Sequence, residues 1–343
     1  MVNAGRLDGL QVARALAALV VAYYHSFAIF STWPLANFFP IPGLKEHGYL
    51  GVNFFFAISG YVISLVCDKD NFSVREFLAR RFFRLYPVYW CVVLAAILVK
   101  LLGVSLPRQI ELIPILYSMT LLPHEGSDSF MIIPVAWSLE FEIMFYLLAA
   151  LVVPFLRIWG LAAVLACLIV WAYAAPPEIF TFHLVRTLHS DFLAGVLAYL
   201  LRKPLRYIPP LVLIPCGLFG YYCAVVLLVP FSGSLGGLLA VSALANAKWR
   251  WDRWPLRLLV RVGDASYSMY LLHWVMIYVF VTVIAKIGVP PAWSAEPIRF
   301  AFLGVCCWLS FQAFRYIERP MIELGNRLVL GRSWSVALFR LTR

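Results

Sequence analysis

Charge is scarce in this sequence. Only 13% of its 343 residues are Asp, Glu, Lys or Arg, while 63% are hydrophobic. A soluble fold needs a polar exterior, so this balance excludes water as the main solvent. The cysteines are few in kind. Seven are present (Cys67, Cys91, Cys167, Cys216, Cys223, Cys306 and Cys307), and none forms a CxxC pair. Most sit in apolar runs and read as small buried hydrophobes, with no disulfide framework and no zinc site expected. The signatures GxxxxGK[ST], HExxH, GxSxG and GxGxxG are missing, which removes support for an ATPase, a zincin, an α/β-hydrolase or a dinucleotide fold. No helix-turn-helix pattern or basic-aromatic RNA motif stands out, so the net charge of +11 does not point to nucleic acid. Internal repeats and low-complexity segments are also absent.

What is present is a series of long apolar runs. A spanning helix needs about 20 mainly apolar residues. The runs place helices near 8–30, 49–67, 83–103, 134–156, 158–176, 181–201, 208–229, 233–248, 264–287 and 296–317. The first has no small-residue cleavage pattern at its end and reads as a retained span. The stretch 109–122 is apolar but short, bounded or interrupted by Pro107, Pro114 and Pro123, and is expected to be re-entrant or interfacial. If it does not cross and the N-terminus is cytoplasmic, most of the 28 basic residues fall in inner segments. Arg80, Arg81, Arg84, Arg157, Arg202, Arg257 and Arg261 are among them, whereas the outer loops keep little beyond Lys45, Arg108 and Lys286. That agrees with the positive-inside rule at every loop. The expected fold is an all-α polytopic membrane bundle of about ten transmembrane helices, with both termini cytoplasmic. One domain should cover residues 1–343, with a cytoplasmic tail from about 318 and no appended soluble domain.

Ionisable groups inside such runs cost roughly 2.5–3.5 kcal/mol each on insertion scales and are functional candidates by default. Arg14 and His25 lie eleven residues apart on the first helix, hence on one face, about 16 Å apart along the axis. The bland alternative has Arg14 snorkelling to the interface and His25 hydrogen-bonded in the core. In the fourth span Ser138 and Glu142 share a face at i,i+4, while Glu140 points nearly opposite. Glu142 is expected in the outer half of the bilayer, level with His25 and with Arg186 on the sixth helix. An ion pair of Arg186 with a Glu or with Asp191 is the structural alternative. On the ninth helix Ser266, Tyr270 and His273 form one polar stripe, read either as packing glue or as part of a site. His189 is expected to be a core histidine. Arg81 and Arg84, at i,i+3, could clamp phosphates, or belong to a topogenic basic cluster.

These pieces occur in a characteristic order: R-x10-H in the first helix, FFFAISGY in the second, RRFFRLYP at the third, WSLEFEIMFY in the fourth, SYSMYLLH in the ninth and IERP after the last. In that order, from Arg14 to Pro320, the sequence resembles the acyltransferase-3 family of bacterial membrane O-acyltransferases. The resemblance implies transfer of an acyl group, acetyl above all, from cytosolic acetyl-CoA or another acyl-CoA to a carbohydrate hydroxyl, in the bacterial inner membrane. It assigns Arg14 and His25 to the family's first-helix Arg and His, Ser59 and Gly60 to its Ser-Gly, and Arg81 and Arg84 to its R-x-x-R on the acyl-CoA side. Trp137, Ser138 and Glu142 match W-S-L-x-x-E. Ser266, Tyr267 and His273 match S-Y-x-x-Y-L-x-H, and Glu318 with Pro320 matches E-x-P. Gln11 stands where many members have Asp, a feature that looks like the exopolysaccharide branch. The appended SGNH hydrolase-like domain of some relatives is not expected here.

The expected chemistry then has His25 as base or acyl carrier, oriented by Glu142, with Arg14, Arg81, Arg84 and Ser59 on the acyl-CoA side. Arg186 or a Ser/Tyr hydroxyl would stabilise the oxyanion. Partners would be a glycan or lipid-linked acceptor, membrane lipid and other polysaccharide-biosynthesis proteins, with no metal and no nucleic acid. A glycolipid transporter and a non-catalytic scaffold of an export complex are the two competing classes.

Overall fold

The computed structural model describes residues 7–29, 41–104, 111–121, 131–174, 184, 186–251, 253–288 and 291–330. Arg108, His124 and His183 lie outside the described residues. All regular structure within them is helical: α1 (Asp8–Ile29), α2 (Leu44–His47), α3 (Leu50–Cys67), α4 (Val74–Leu101), α5 (Leu112–Thr120), α6 (Trp137–Ala174), α7 (His189–Leu200), α8 (Arg202–Leu205), α9 (Pro210–Val226), α10 (Ser232–Asn246), α11 (Leu256–Asp264), α12 (Ser266–Ile287), α13 (Ala295–Ala313) and α14 (Arg319–Leu330). Among the described residues, five helical stretches are long and apolar enough to cross a membrane: Leu50–Cys67, Val74–Leu101, Pro134–Ala174, Ser266–Ile287 and Ala295–Val329. Large apolar side chains such as Phe155, Trp159, Leu211 and Leu218 lie exposed on the flanks, a surface stable against lipid and not against water.

Local chemistry explains where these helices start, break and run on. Arg157 leaves helical geometry inside α6 (φ 55°, ψ −165°), so the long element is two helices joined by a kink, as the expected spans 134–156 and 158–176 require. Helix α4 starts at Val74, nine residues before the expected span, because Ser73 caps it by accepting the Glu76 amide. The helix extends ahead of the apolar run and brings Arg80 and Arg81 onto the same element as Arg84. At the other end of the chain α13 does not stop at 317. A π-helical turn, Phe314–Glu318, joins it to α14. Such single π turns often mark functional positions, and this one buries Glu318.

The core is a stack of aromatic rings and a close helix crossing. Phe56 of α3, Phe192 of α7 and Phe145 of α6 stack face to face, with centroids 4.4 Å apart at each step. Helices α3 and α7 approach closely enough that a Cβ on Gly60 would lie 2.2 Å from the Phe192 carbonyl oxygen. A Cβ on Gly195 would lie 1.9 Å from that of Ala57. Only glycine fits at either place.

The two ends of the bundle gather different residues. At one end Asp68, which follows α3, accepts from the Tyr199 hydroxyl (2.8 Å) and pairs with Arg157 (3.5 Å) and Arg202 (3.8 Å). At the other, Tyr23 of α1 donates to Glu296 of α13 (3.1 Å) and accepts from the Ile41 amide. Arg299, fully buried, pairs with Glu296 and lies 3.7 Å above the Phe27 ring. Segments that the charge pattern assigns to one side therefore meet one another.

Candidate active site

Five helices converge on a cavity of about 60 Å³, several times the space one water needs. Its polar lining is Arg14 of α1, Ser59 of α3, Arg81 and Arg84 of α4, Ser138, Glu142 and Tyr146 of α6, and Ser266, Tyr267 and Tyr270 of α12. Val52, Phe55, Phe56, Ile58, Val62, Ile63 and Leu139 complete the wall. The periodicities read from the sequence account for this convergence. Arg81 and Arg84 share the inward face of α4, Ser138 and Glu142 that of α6, and Ser266 and Tyr270 that of α12. Arg80, off that face, is instead tied to Glu76 at 3.1 Å.

The lining is held by a connected set of hydrogen bonds. Glu142 Oε1 accepts from the Ser59 hydroxyl (3.3 Å) and from the Tyr146 hydroxyl one turn on. Arg81 lies over the Tyr146 ring (5.3 Å to the centroid) and the Phe77 ring (5.5 Å), so one tyrosine links the carboxylate to the cation. Arg14 Nε donates to Ser266 Oγ at 3.0 Å. The Ser138 and Tyr270 hydroxyls are 2.7 Å apart, and Tyr270 also donates to the Val135 carbonyl at 2.8 Å. Behind the wall, buried Glu318 accepts from Ser268 at 2.6 Å and lies in the field of Arg84 and Arg14. Three guanidinium groups thus share the cavity region with two carboxylic acid groups, a layout suited to an anion.

The stripe on α12 organises the whole site. Ser266 meets Arg14, Tyr270 meets Ser138, and His273 meets His25. His273 Nε2 and His25 Nδ1 are 3.1 Å apart, and the rings stack with centroids at 5.1 Å. His273 Nδ1 is 3.3 Å from the Met269 carbonyl, one turn back. Tyr24 and Trp274 set their ring edges against His25, at 5.2 and 5.5 Å. His25 itself does not line the cavity. The Tyr270 ring lines the cavity and lies 5.8 Å from that of His273, the partner of His25.

One expected pairing and one alternative pairing differ in the structure. Glu142 is not the partner of His25: it bonds Ser59 and Tyr146, and His25 bonds His273. The cause is depth. Residues Met131, Ile132, Ile133, Val135 and Ala136 ahead of α6 are already buried, with the Ile132 amide donating to buried Ser118. Glu142 lines the same cavity as Arg14, and Arg14 is about 16 Å from His25 along α1. Asp191 is held not by an arginine but by Asn53 (2.6 Å) and Ser234 (2.8 Å). Arg186 and Trp137 do not line the cavity; Trp137 packs edge-on against Phe56 and Phe141. His189 is fully buried between Phe141 and Phe192, as a core histidine should be.

Sequence reasoning misses Tyr146, whose signal is its i+4 spacing from Glu142, and the Glu296–Arg299 pair, signalled by charges of opposite sign at i,i+3 opening an apolar helix. It also misses Asn53 and Ser234, which carry no local signal. Among the described residues, no group of three or more His, Cys, Asp or Glu side chains is placed to hold a metal.

The model of the acyltransferase-3 family, described as an acyltransferase domain, matches residues 7–311. The chain belongs to the acyltransferase-3 family. It is 31% identical over 297 residues to the exopolysaccharide production protein ExoZ of Rhizobium meliloti (strain 1021), covering 81% of this chain and 91% of that protein. It is 27% identical over 321 residues to the acyltransferase MdmB of Streptomyces mycarofaciens, covering 82% of each. No solved structure is a significant match. As a member of this family with five helical stretches suited to crossing a bilayer, this acyltransferase is a multi-pass membrane protein.

Proposed function

We propose that this acyltransferase moves an acyl group, acetyl by preference, from cytosolic acyl-CoA to a hydroxyl of a cell-surface or lipid-linked carbohydrate, in a bacterial inner membrane. The single domain would cross that membrane about ten times, with both termini in the cytoplasm. The observation that carries the reading is the cavity wall with Arg14, Arg81 and Arg84 on it. Coenzyme A is a polyanion, and guanidinium groups bind phosphate in bidentate fashion. Arg81 and Arg84 lie on the early part of α4, close in sequence to Asp68, whose partners Arg157 and Arg202 mark the bundle end that the positive-inside rule puts in the cytoplasm. The acceptor class rests on the similarity to ExoZ, named for exopolysaccharide production, and on Gln11. Proteins of polysaccharide biosynthesis would deliver that acceptor.

In this reading the phosphates rest on Arg81 and Arg84, and the thioester end passes Tyr270 to reach His25. The acceptor oxygen bonds to the acyl carbon and its proton goes to the imidazole of His25. The carbon–sulfur bond then breaks, and the departing thiolate takes a proton to leave as free CoA thiol. Glu142, tied to Ser59 and Tyr146, balances the arginine cluster.

The test is transfer by purified protein in lipid nanodiscs, with labelled acetyl-CoA and alkali-deacetylated surface polysaccharide from the organism that carries this chain. Label should enter the polysaccharide with saturable dependence on both substrates, and His25→Ala should abolish it while the protein stays folded. An untouched thioester would favour the transporter or scaffold classes. Full activity of His25→Ala would remove the mechanism.

A further inference from the structure

The hydrogen bonds around the two imidazoles fix which nitrogen carries which proton. The Met269 carbonyl can only accept, so the His273 Nδ1 facing it at 3.3 Å must be the N–H. A neutral imidazole has one N–H, which leaves His273 Nε2 as a lone-pair acceptor. That atom is 3.1 Å from His25 Nδ1, so His25 Nδ1 must be the donor and His25 Nε2 the unprotonated position. One backbone carbonyl thus sets the sense of the whole relay.

We propose that His273 is the positioning residue for His25: it holds the ring by its Nδ1–H and presents His25 Nε2 as the atom that takes the acceptor hydroxyl's proton. This rests on the reading of His25 as the base and adds the group that orients it. The role is one that a carboxylate at Glu142 is too deep to fill. The relay is built into rigid elements. His273 is fully buried on α12, three residues beyond Tyr270, whose hydroxyl is fixed by Ser138 and Val135. The stacked rings leave His25 little freedom to turn, with Tyr24 and Trp274 against its edges. When Nε2 accepts a proton, the positive charge is shared along the bond to His273, whose Nε2 lone pair already points at it.

The tautomer is directly observable. Ring-15N spectra of the protein in bilayers, assigned with His25→Gln and His273→Gln variants, should show His25 protonated on Nδ1 and bare on Nε2. A His25 protonated on Nε2 overturns the proposal. The kinetic test uses His273→Phe, which keeps the ring volume and removes the acceptor, and His273→Gln, whose amide oxygen can replace it. Removing an orienting partner typically costs 10–100-fold. Turnover should accordingly fall ~10–100-fold in the Phe variant, with the Michaelis constant for acetyl-CoA within about twofold, and recover in large part in the Gln variant. Equal turnover in both variants and wild type, or equal loss in both variants, overturns it. Transfer by His25→Ala would instead sink the parent reading, while the wild-type spectrum would still report the relay.

Discussion

Two polar clusters each take a side chain from α3, Asn53 in one and Ser59 in the other, and they are built on opposite plans. Around Asp191 each carboxylate oxygen has a neutral donor, Asn53 on one side and Ser234 on the other, and Ser190 completes the chain through Ser234. Around Glu142 the neighbours are cations: Arg14, Arg81 and Arg84 share its cavity, and Glu318 is a second acid behind them. The first cluster consumes its own hydrogen-bonding capacity and stitches α3, α7 and α10 together. The second leaves guanidinium capacity over and opens onto space. A buried charge satisfied by neutral side chains is a packing device; like charges gathered against a cavity are worth their mutual repulsion only if something anionic enters. For unit charges 4 Å apart that repulsion is about 4 kcal/mol at an effective dielectric of 20.

The comparison is broken most forcefully at Arg84. Charge-assisted hydrogen bonds contribute about 1.5–3 kcal/mol each, so Arg84→Ala should raise the apparent Michaelis constant for acetyl-CoA by ~10–100-fold. The melting temperature in nanodiscs should hardly move. An unchanged Michaelis constant would make the cluster topogenic and not a donor site. Asp191→Ala is the mirror experiment. It leaves half-buried Asn53 and Ser234 without their acceptor, at about 1–3 kcal/mol. Thermal unfolding should shift downward, and the folded fraction should keep its Michaelis constant for acetyl-CoA. A kinetic defect without a stability defect would move Asp191 into the second class.

The difference between the clusters is only half visible in the sequence, and the reason is physical. Helical periodicity decides which residues share a face, so Arg81 with Arg84, Ser138 with Glu142, and Ser266 with Tyr270 and His273 are legible from spacing alone. The break at Arg157 is legible because two apolar runs abut there. Depth is a different quantity. It depends on where a helix begins, and α6 begins inside the bundle because the residues ahead of it, Met131 to Ala136, are folded into the core. Spacing carries no trace of that, so it puts Glu142 beside His25, whereas Glu142 shares its cavity with Arg14. Partners from distant helices are equally silent: nothing near Asp191 in the chain announces Asn53 or Ser234. The segments most charged at their edges, 74–82 and 318–330, were expected outside any span. They prove to be helical because capping by Ser73 and the π turn at Phe314–Glu318 continue the neighbouring helices.

The smallest effect tests the link within the charged cluster itself. Tyr146 donates to Glu142 and lies under Arg81, so it joins the anion to the cation without adding a charge. Tyr146→Phe keeps the ring, hence the stacking with Arg81, and deletes only the hydroxyl. A hydrogen bond to a charged group contributes about 1.5–3 kcal/mol, but Tyr146 acts on the acyl donor only through Glu142, so a smaller change, roughly fivefold (about 1 kcal/mol), in the Michaelis constant for acetyl-CoA is expected, with turnover nearly intact. Ser59 can still satisfy Glu142, which keeps the loss small. Should Tyr146→Phe instead cost as much as Arg84→Ala, the hydroxyl would be touching the acyl donor directly, and the cavity would have to be read with Tyr146 as a ligand and not as a brace.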